Sequence, residues 1–219
     1  LWKEIRERGV KQMSRKEKLL YPFYVITHPF DGFYEVRHRG KGSVPVALLL
    51  VFLFGVSFSL NRRYAGFVVN LINPRTIDVR SDVIGVFAAV LLFAAANWSI
   101  TCLLEGEGRF KDILEVIGYS MLPMVLTFLP ATLFSWFIAA EEESIYYIII
   151  DISILFFAIL LLIGIMTIHN FSFAKTIVTL VITFIALLLI IFVILMMISL
   201  VNQVIQFFRS VYTELILRS

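Results

Sequence analysis

Five long apolar runs constrain this chain more than any other feature: Val44–Leu60, Val83–Leu104, Ile113–Ala140, Ser144–Ile168 and Ile177–Leu200. A helix needs roughly 20 apolar residues to cross the hydrocarbon core of a bilayer. Four of the runs reach that length and the first falls slightly short. With 60% hydrophobic residues among 219 and a mean hydropathy of +0.92, the chain has too little polar surface to hide such runs in a soluble core. The bilayer is therefore the solvent for most of it. The expected fold class is all-α: a polytopic integral membrane helical bundle of about five transmembrane helices, with an N-terminal interfacial helix and a C-terminal amphipathic helix.

Charge gives an expected orientation. The formal net charge is +3, but Lys3, Arg6, Arg8, Lys11, Arg15, Lys16, Lys18, Arg37, Arg39 and Lys41 all precede the first run. Positively charged flanks stay in the cytoplasm, which predicts an inside N-terminus. Five crossings then put 62–82 outside, 105–112 inside, Glu141-Glu142-Glu143 outside, 169–175 inside and the C-terminus outside. The outer acidic triplet fits this rule, whereas Arg62, Arg63, Arg75 and Arg80 run against it. Leu1–Met13 is charged rather than apolar and does not read as a cleavable signal peptide. The single cysteine, Cys102, excludes an intramolecular disulfide.

Three stretches organise the chain. Residues 1–43 read as a basic cytoplasmic arm followed by an aromatic interfacial segment. In the arm, Trp2, Ile5, Val10 and Met13 sit loosely at helical spacing, which suits a helix near anionic headgroups or a solvated tail. Tyr21, Phe23, Tyr24, Phe30, Phe33 and Tyr34 crowd a segment interrupted by Pro22, Pro29 and Gly32, at the depth of an aromatic belt, so a short helix is expected around Pro29–Arg37. Residues 44–200 form the membrane domain. Within it, the small residues Gly85, Ala88, Ala89 and Ala94–Ala96 predict a central, closely packed span. Pro123 and Pro130 predict a kink in an over-long third span. Ile177–Leu200 carries no charge and suits a lipid-facing helix. In 201–219, Val201, Val204, Ile205, Phe208, Val211, Tyr212, Leu215 and Ile216 recur three and four apart. That face, with Phe208, Val211, Tyr212 and Leu215 at its centre, predicts either docking on a partner subunit or anchoring on lipid.

Three motifs in order carry a family resemblance. His28-Pro29-Phe30-Asp31-Gly32-Phe33, followed by a basic 37–41 stretch and a span, resembles the opening of the bacterial branch of the Ypt-interacting protein (YIP) family. Asp82-Val83-Ile84-Gly85 is similar to the family's Asp-Leu-x-Gly-Pro span start, with Val86 where the proline would stand. Gly118-Tyr119-Ser120-Met121-Leu122-Pro123 matches its Gly-Tyr-Ser-x-x-Pro pattern. The glycine-containing 105–111 loop sits where the family keeps a short cytoplasmic turn. The resemblance covers roughly Lys18 to Leu200 and implies a five-span membrane protein. Eukaryotic members bind Rab-type GTPases or shape membranes and carry long cytosolic N-terminal regions; the N-terminal stretch here is short and basic, so the GTPase partner is not carried over. Bacterial relatives resemble accessory proteins beside transporters, sugar-importing ABC systems among them.

The polar residues within the runs are the functional candidates: Asn97, Tyr119, Ser120 and Asp151. Depth allows Asn97 to meet Tyr119 or Ser120, whereas Asp151 lies nearer Thr127 and Pro130. They read as interhelical hydrogen bonds worth about 1 kcal/mol each, or as part of an ion or substrate path. No catalytic residue, metal ligand or cofactor site is expected. There is no His-Glu-x-x-His, no paired membrane aspartate, no Gly-x-Ser-x-Gly and no phosphate-cradling Gly-Lys-Ser/Thr loop, and His28, His38 and His169 lack ligand spacing. Asn97-Trp98-Ser99 and Asn170-Phe171-Ser172 fit the glycosylation pattern but fall in a span and in a cytoplasmic loop. The expected partners are the lipid bilayer and other integral membrane subunits of permease type, with no nucleic acid. Two functions stay open: a non-enzymatic accessory or scaffold subunit, or a self-contained transporter or channel. The odd number of spans and the absence of inverted repeats favour the first. A membrane-organising role like that of the eukaryotic relatives is the remaining alternative.

Overall fold

Local chemistry sets the first two helices. The structure, a computed structural model, describes residues 14–70 and 73–217; the arm's Trp2, Ile5, Val10 and Met13 lie outside them. Helix α1 (Arg15–Thr27) opens on a capping box in which the Glu17 N–H donates to Ser14 Oγ while the Ser14 N–H donates to the Glu17 carboxylate. It ends at His28, because the residue before a proline is pushed out of the helical region, and His28 sits at φ −135° and ψ 68°. Pro29 then occupies the first position of α2 (Pro29–His38), where its missing N–H costs nothing. The two helices pack as a hairpin. Gly32 allows the approach: a Cβ there would lie 3.0 Å from the Val25 Cα, and the Tyr21 hydroxyl donates to the Gly32 carbonyl at 2.9 Å.

Five spans follow, as the apolar runs require. They are α3 (Val44–Tyr64), α4 (Val79–Leu103), the pair α5 (Phe110–Ser120) and α6 (Leu122–Phe134), α7 (Glu143–His169) and α8 (Phe173–Leu217). The third span breaks at Met121, two residues before Pro123, and α6 starts with that proline in its first turn. Pro130 lies inside α6 without ending it. No strand occurs among the described residues. We call the end carrying Ser43 and Phe110 proximal and the end carrying Tyr64 and Glu143 distal.

The centre of the bundle is α5. All residues from Asp112 to Ser120 are buried, and α1, α2, α3, α4, α6 and α7 all pack on it. Gly118 lets α3 reach it, since a Cβ there would lie 2.6 Å from the Ala47 backbone. The small residues of α4 place it differently from the expectation of a central span. Ala94 and Ala96 are buried, but Ala88 and Ala89 are exposed and Gly85 has no neighbour within 4 Å of a built Cβ.

The helix expected around Pro29–Arg37 is α2, and its depth is set by what the hairpin touches. Arg37 pairs with Asp112 near the proximal end of α5, whereas the Tyr21 ring meets Tyr119 at 6.1 Å. Tyr119 lies about 10 Å further along the helix at 1.5 Å per residue. Ile26, near the tip, shares a groove of about 370 Å³ with Pro123, Thr127, Ile149 and Ser153. The hairpin therefore runs from the proximal surface toward mid-membrane and back. At its tip the His28 N–H donates to the Tyr24 carbonyl at 2.9 Å and the Gly32 N–H to the His28 carbonyl at 2.8 Å.

At the other extreme stands α8. It runs 45 residues without a break, about 67 Å at 1.5 Å per residue, against about 30 Å of hydrocarbon. The last apolar run and the amphipathic tail beyond Leu200 belong to this one helix. Only its proximal part packs, mainly on α4, through Thr176, Thr179 and Thr183. The distal arginines have a partial account: Arg62 pairs with Asp82 at 2.7 Å and lies over the Phe58 ring.

Three spans separate Ser14 from Glu142, so the two positions lie on opposite sides of the bilayer. In a Cys102→Ser background, single cysteines at Ser14 and Glu142 should react with a membrane-impermeant thiol reagent from opposite sides, Ser14 from the cytoplasm. Reaction of both from one side rules out five crossings.

Candidate functional site

Near its proximal end the bundle buries three carboxylates: Glu35 at 3% exposure, Asp112 at 0% and Glu115 at 4%. An unpaired charge so placed costs several kcal/mol, and Glu35 and Asp112 both have cationic partners. Glu35 Oε2 accepts from Lys41 Nζ at 2.9 Å, and that lysine is itself only 1% exposed. The other oxygen accepts from Arg39 at 3.2 Å. Asp112 accepts from the Arg109 backbone N–H at 3.1 Å and from its guanidinium at 3.0 and 3.2 Å, a fork that closes the first turn of α5. Arg37 reaches the same carboxylate at 3.4 Å. Glu115 faces the linker backbone at the start of α3. Gly42 lies so close that any Cβ there would fall within that carboxylate.

Two tyrosines extend the network into the bundle. The Tyr119 hydroxyl accepts from the Ser43 N–H at 2.8 Å, which fixes the linker where the chain enters α3. Burial, and next the charge of Glu35, push the Tyr21 phenol above its ordinary range, so it remains the donor to Gly32. On the other side, the loop after α4 wraps His169 at the end of α7. The Gly108 N–H donates to His169 Nδ1 at 3.1 Å, which leaves the ring proton on Nε2, a buried atom with no hydrogen-bond partner. Cβ atoms at Gly106 and Gly108 would lie 2.5 and 2.6 Å from the imidazole. Lys175 closes the same corner by donating to the Leu104 carbonyl at 2.8 Å and lying over the Phe171 ring. A smaller node ties the distal end: the Asn61 amide donates to Thr132 and Tyr146, both at 2.8 Å, joining α3, α6 and α7.

This arrangement joins segments. Glu35 and Asp112 are paired with cations, and Glu115 is enclosed by the linker backbone. Among the described residues no group of His, Cys, Asp and Glu is placed to hold a metal.

The sequence-derived candidates fall in separate places. Depth alone points to Tyr119 or Ser120 as the partner of Asn97, but the Asn97 amide reaches Thr183 of α8 at 3.1 Å. Tyr119 belongs to the proximal network. Ser120 is fully buried, and its hydroxyl, like Asn97 Oδ1, has no partner. Asp151 is exposed on α7, turned away from Thr127, whose hydroxyl bonds the Pro123 carbonyl. Phe208, Val211 and Tyr212 are exposed on α8, and the side chain of Leu215 lies outside the described set. Sequence reading missed Glu35, Lys41, Asp112, Glu115 and His169. The signals available were a Glu three residues after Asp112 inside an apolar run, and Gly106 and Gly108 before it.

A five-span helical membrane bundle, locked at one end by buried ion pairs and fitted with a hairpin that enters from that end, is the class these features define. The Yip1 domain matches residues 23–195, from within α1 to the middle of α8, and the chain belongs to that family. No curated protein and no solved structure matches it.

Two outcomes test this geometry. Lys41→Met leaves Glu35 buried with one half-exposed partner and should cost about 3 kcal/mol, seen as a lower thermal unfolding midpoint in detergent. Replacing both members, Lys41→Met with Glu35→Leu, should recover most of the loss. Separately, paired cysteines at Asn97 and Thr183 should cross-link with a short reagent; absence of the product would place α8 elsewhere.

Proposed function

We propose that this protein is a non-enzymatic accessory or scaffold subunit of a membrane complex, with its N-terminus in the cytoplasm of a bacterial cell. One observation carries the reading. The span with the greatest length and hydropathy, α8, is the least covered: 6% of its apolar window is buried, against 67% for the α5–α6 span. From Phe192 on, every side chain described is exposed. Lipid suffices for the apolar part inside the bilayer. It does not cover the tail, where Val204, Phe207, Phe208, Val211 and Tyr212 extend past the hydrocarbon on a helix that does not bend onto the surface. A partner subunit alongside α8 covers both parts. The family resemblance makes a transporter assembly, such as an ABC-type sugar importer, the setting we favour.

A self-contained transporter needs polar groups converging at one depth. Asn97 is enclosed between α4 and α8 while Asp151 faces outward, which supports the accessory reading instead. The test is purification from native membranes with mass spectrometry of what co-elutes. The triple variant Phe208→Ser, Val211→Ser, Tyr212→Ser should stay in the membrane and lose at least one co-purifying subunit. If the variant keeps every partner, the tail is a lipid anchor.

A further inference from the structure

The outward face of α7 carries a charge in the wrong place. Asp151 lies eight residues after Glu143, where α7 begins, about 12 Å along the helix from its distal end. The runs on either side are Ile148-Ile149-Ile150 and Ile152-Ser153-Ile154. The buried face of α7 is made by Tyr146, Ser153, Leu160 and Gly164, whereas Asp151 is exposed. Charged residues inside a span normally turn into the bundle or a water-filled cavity and pair there. This one has no hydrogen bond or ion pair among the described residues. A side chain this short does not reach the interface from such a depth, as Lys or Arg would.

The surrounding surface has the form of a helix-packing seam. Ser144, Ile148, Asp151, Leu155 and Ala158 succeed one another at intervals of four and three along α7, and all are exposed. That is the spacing by which one helix meets another along a stripe. Small Ser144 and Ala158 permit close approach at its two ends. The five apolar runs of this chain contain no Lys or Arg. A second copy therefore has no cation to bring to this depth.

We propose that this stripe docks a transmembrane helix of a different protein, one that presents a Lys or Arg side chain to Asp151. The pairing would remove an uncompensated charge from lipid and fix the depth and rotation of the partner helix. This deepens the accessory-subunit reading by naming a contact surface and the chemistry of what meets it. It is separate from the α8 tail.

A defined probe tests it. The full-length chain, labelled at Cys102, which is exposed at the proximal end, is reconstituted in phosphatidylcholine vesicles. Acceptor-labelled poly-leucine transmembrane peptides are added, one carrying a single Lys about eight residues from one end and one carrying Leu there. Energy transfer should report association about tenfold tighter for the Lys peptide. Asp151→Asn should reduce it to the level of the Leu peptide, and Asp151→Glu should retain it. Equal association of the two peptides overturns the proposal, as does an Asp151→Asn variant that still prefers Lys. Self-association of the protein that displaces the Lys peptide also overturns it, in favour of a second copy. In native membranes the two readings separate. A subunit lost in Asp151→Asn but kept by the Phe208, Val211, Tyr212 variant must carry a basic residue in a span. If no subunit co-purifies with wild type, the accessory reading fails while the peptide result stands.

Discussion

Three carboxylates in a membrane protein's core need an explanation, and theirs organises the bundle. Asp112 and Glu115 sit on α5, the one helix that touches nearly all the others. Burying them is favourable only if cations and N–H donors arrive from elsewhere in the chain. Arg37 from α2 and Arg109 from the preceding loop reach Asp112, and the linker backbone at Gly42, just before α3, closes on Glu115. Satisfying α5 therefore fixes three chain segments at once. Glu35 repeats the device with Lys41, pinning the linker between the hairpin and the first span. Apolar packing brings the helices together without distinguishing their registers. Charges with defined partners do distinguish them, and this supplies the specificity that a bundle of Leu and Ile faces lacks.

The α1–α2 hairpin follows from the same requirement. A segment broken by Pro22, Pro29 and Gly32 leaves backbone groups without intrahelical partners, and hydrocarbon offers none. The hairpin is tolerated at depth because each problem is answered locally. Pro29 brings no N–H, the Gly32 carbonyl receives Tyr21, and the His28 N–H and carbonyl are both used. The Tyr21 ring against Tyr119 joins the hairpin to α5, so the His-Pro-Phe and Gly-Tyr-Ser motifs belong to one packed unit although they lie far apart in sequence.

Span number, helical class and the break before Pro123 were legible because they depend on local composition and on proline's missing donor. The helix at Pro29 was legible for the same reason, but its depth was not. That depth is set by Tyr21 meeting Tyr119, a contact between positions 98 residues apart. Asn97 was legible as a polar contact and not as a contact with Thr183, because depth along a helix fixes one coordinate and leaves neighbour order open. Glu115 went unnoticed for a related reason. A Glu near the end of an apolar run reads as interfacial, and only the converging Gly42 backbone makes it interior. Membership of the Yip1 domain family rests on residues 23–195, a region that includes the buried carboxylates, Lys41, Tyr119 and His169 but not Tyr21.

The contrast between core and surface bears on where function lies. Inside, polar groups are spent on holding segments together, and among the described residues the orphan atoms at Ser59, Asp82, Asn97, Ser120 and His169 are scattered over α3, α4, α5 and α7. Outside, α7 exposes Asp151 within a span, and α8 is about twice as long as the hydrocarbon core is thick. A tilt large enough to immerse all of α8 would also immerse Gln206, Arg209 and Glu214, which is costly in lipid. The overhang is thus intrinsic to the sequence, because apolar residues continue beyond the point where charged ones begin. The two outer faces, α7 at Asp151 and the overhang of α8, are therefore where the proposed partner helices would sit, since neither face is covered by the rest of the described bundle.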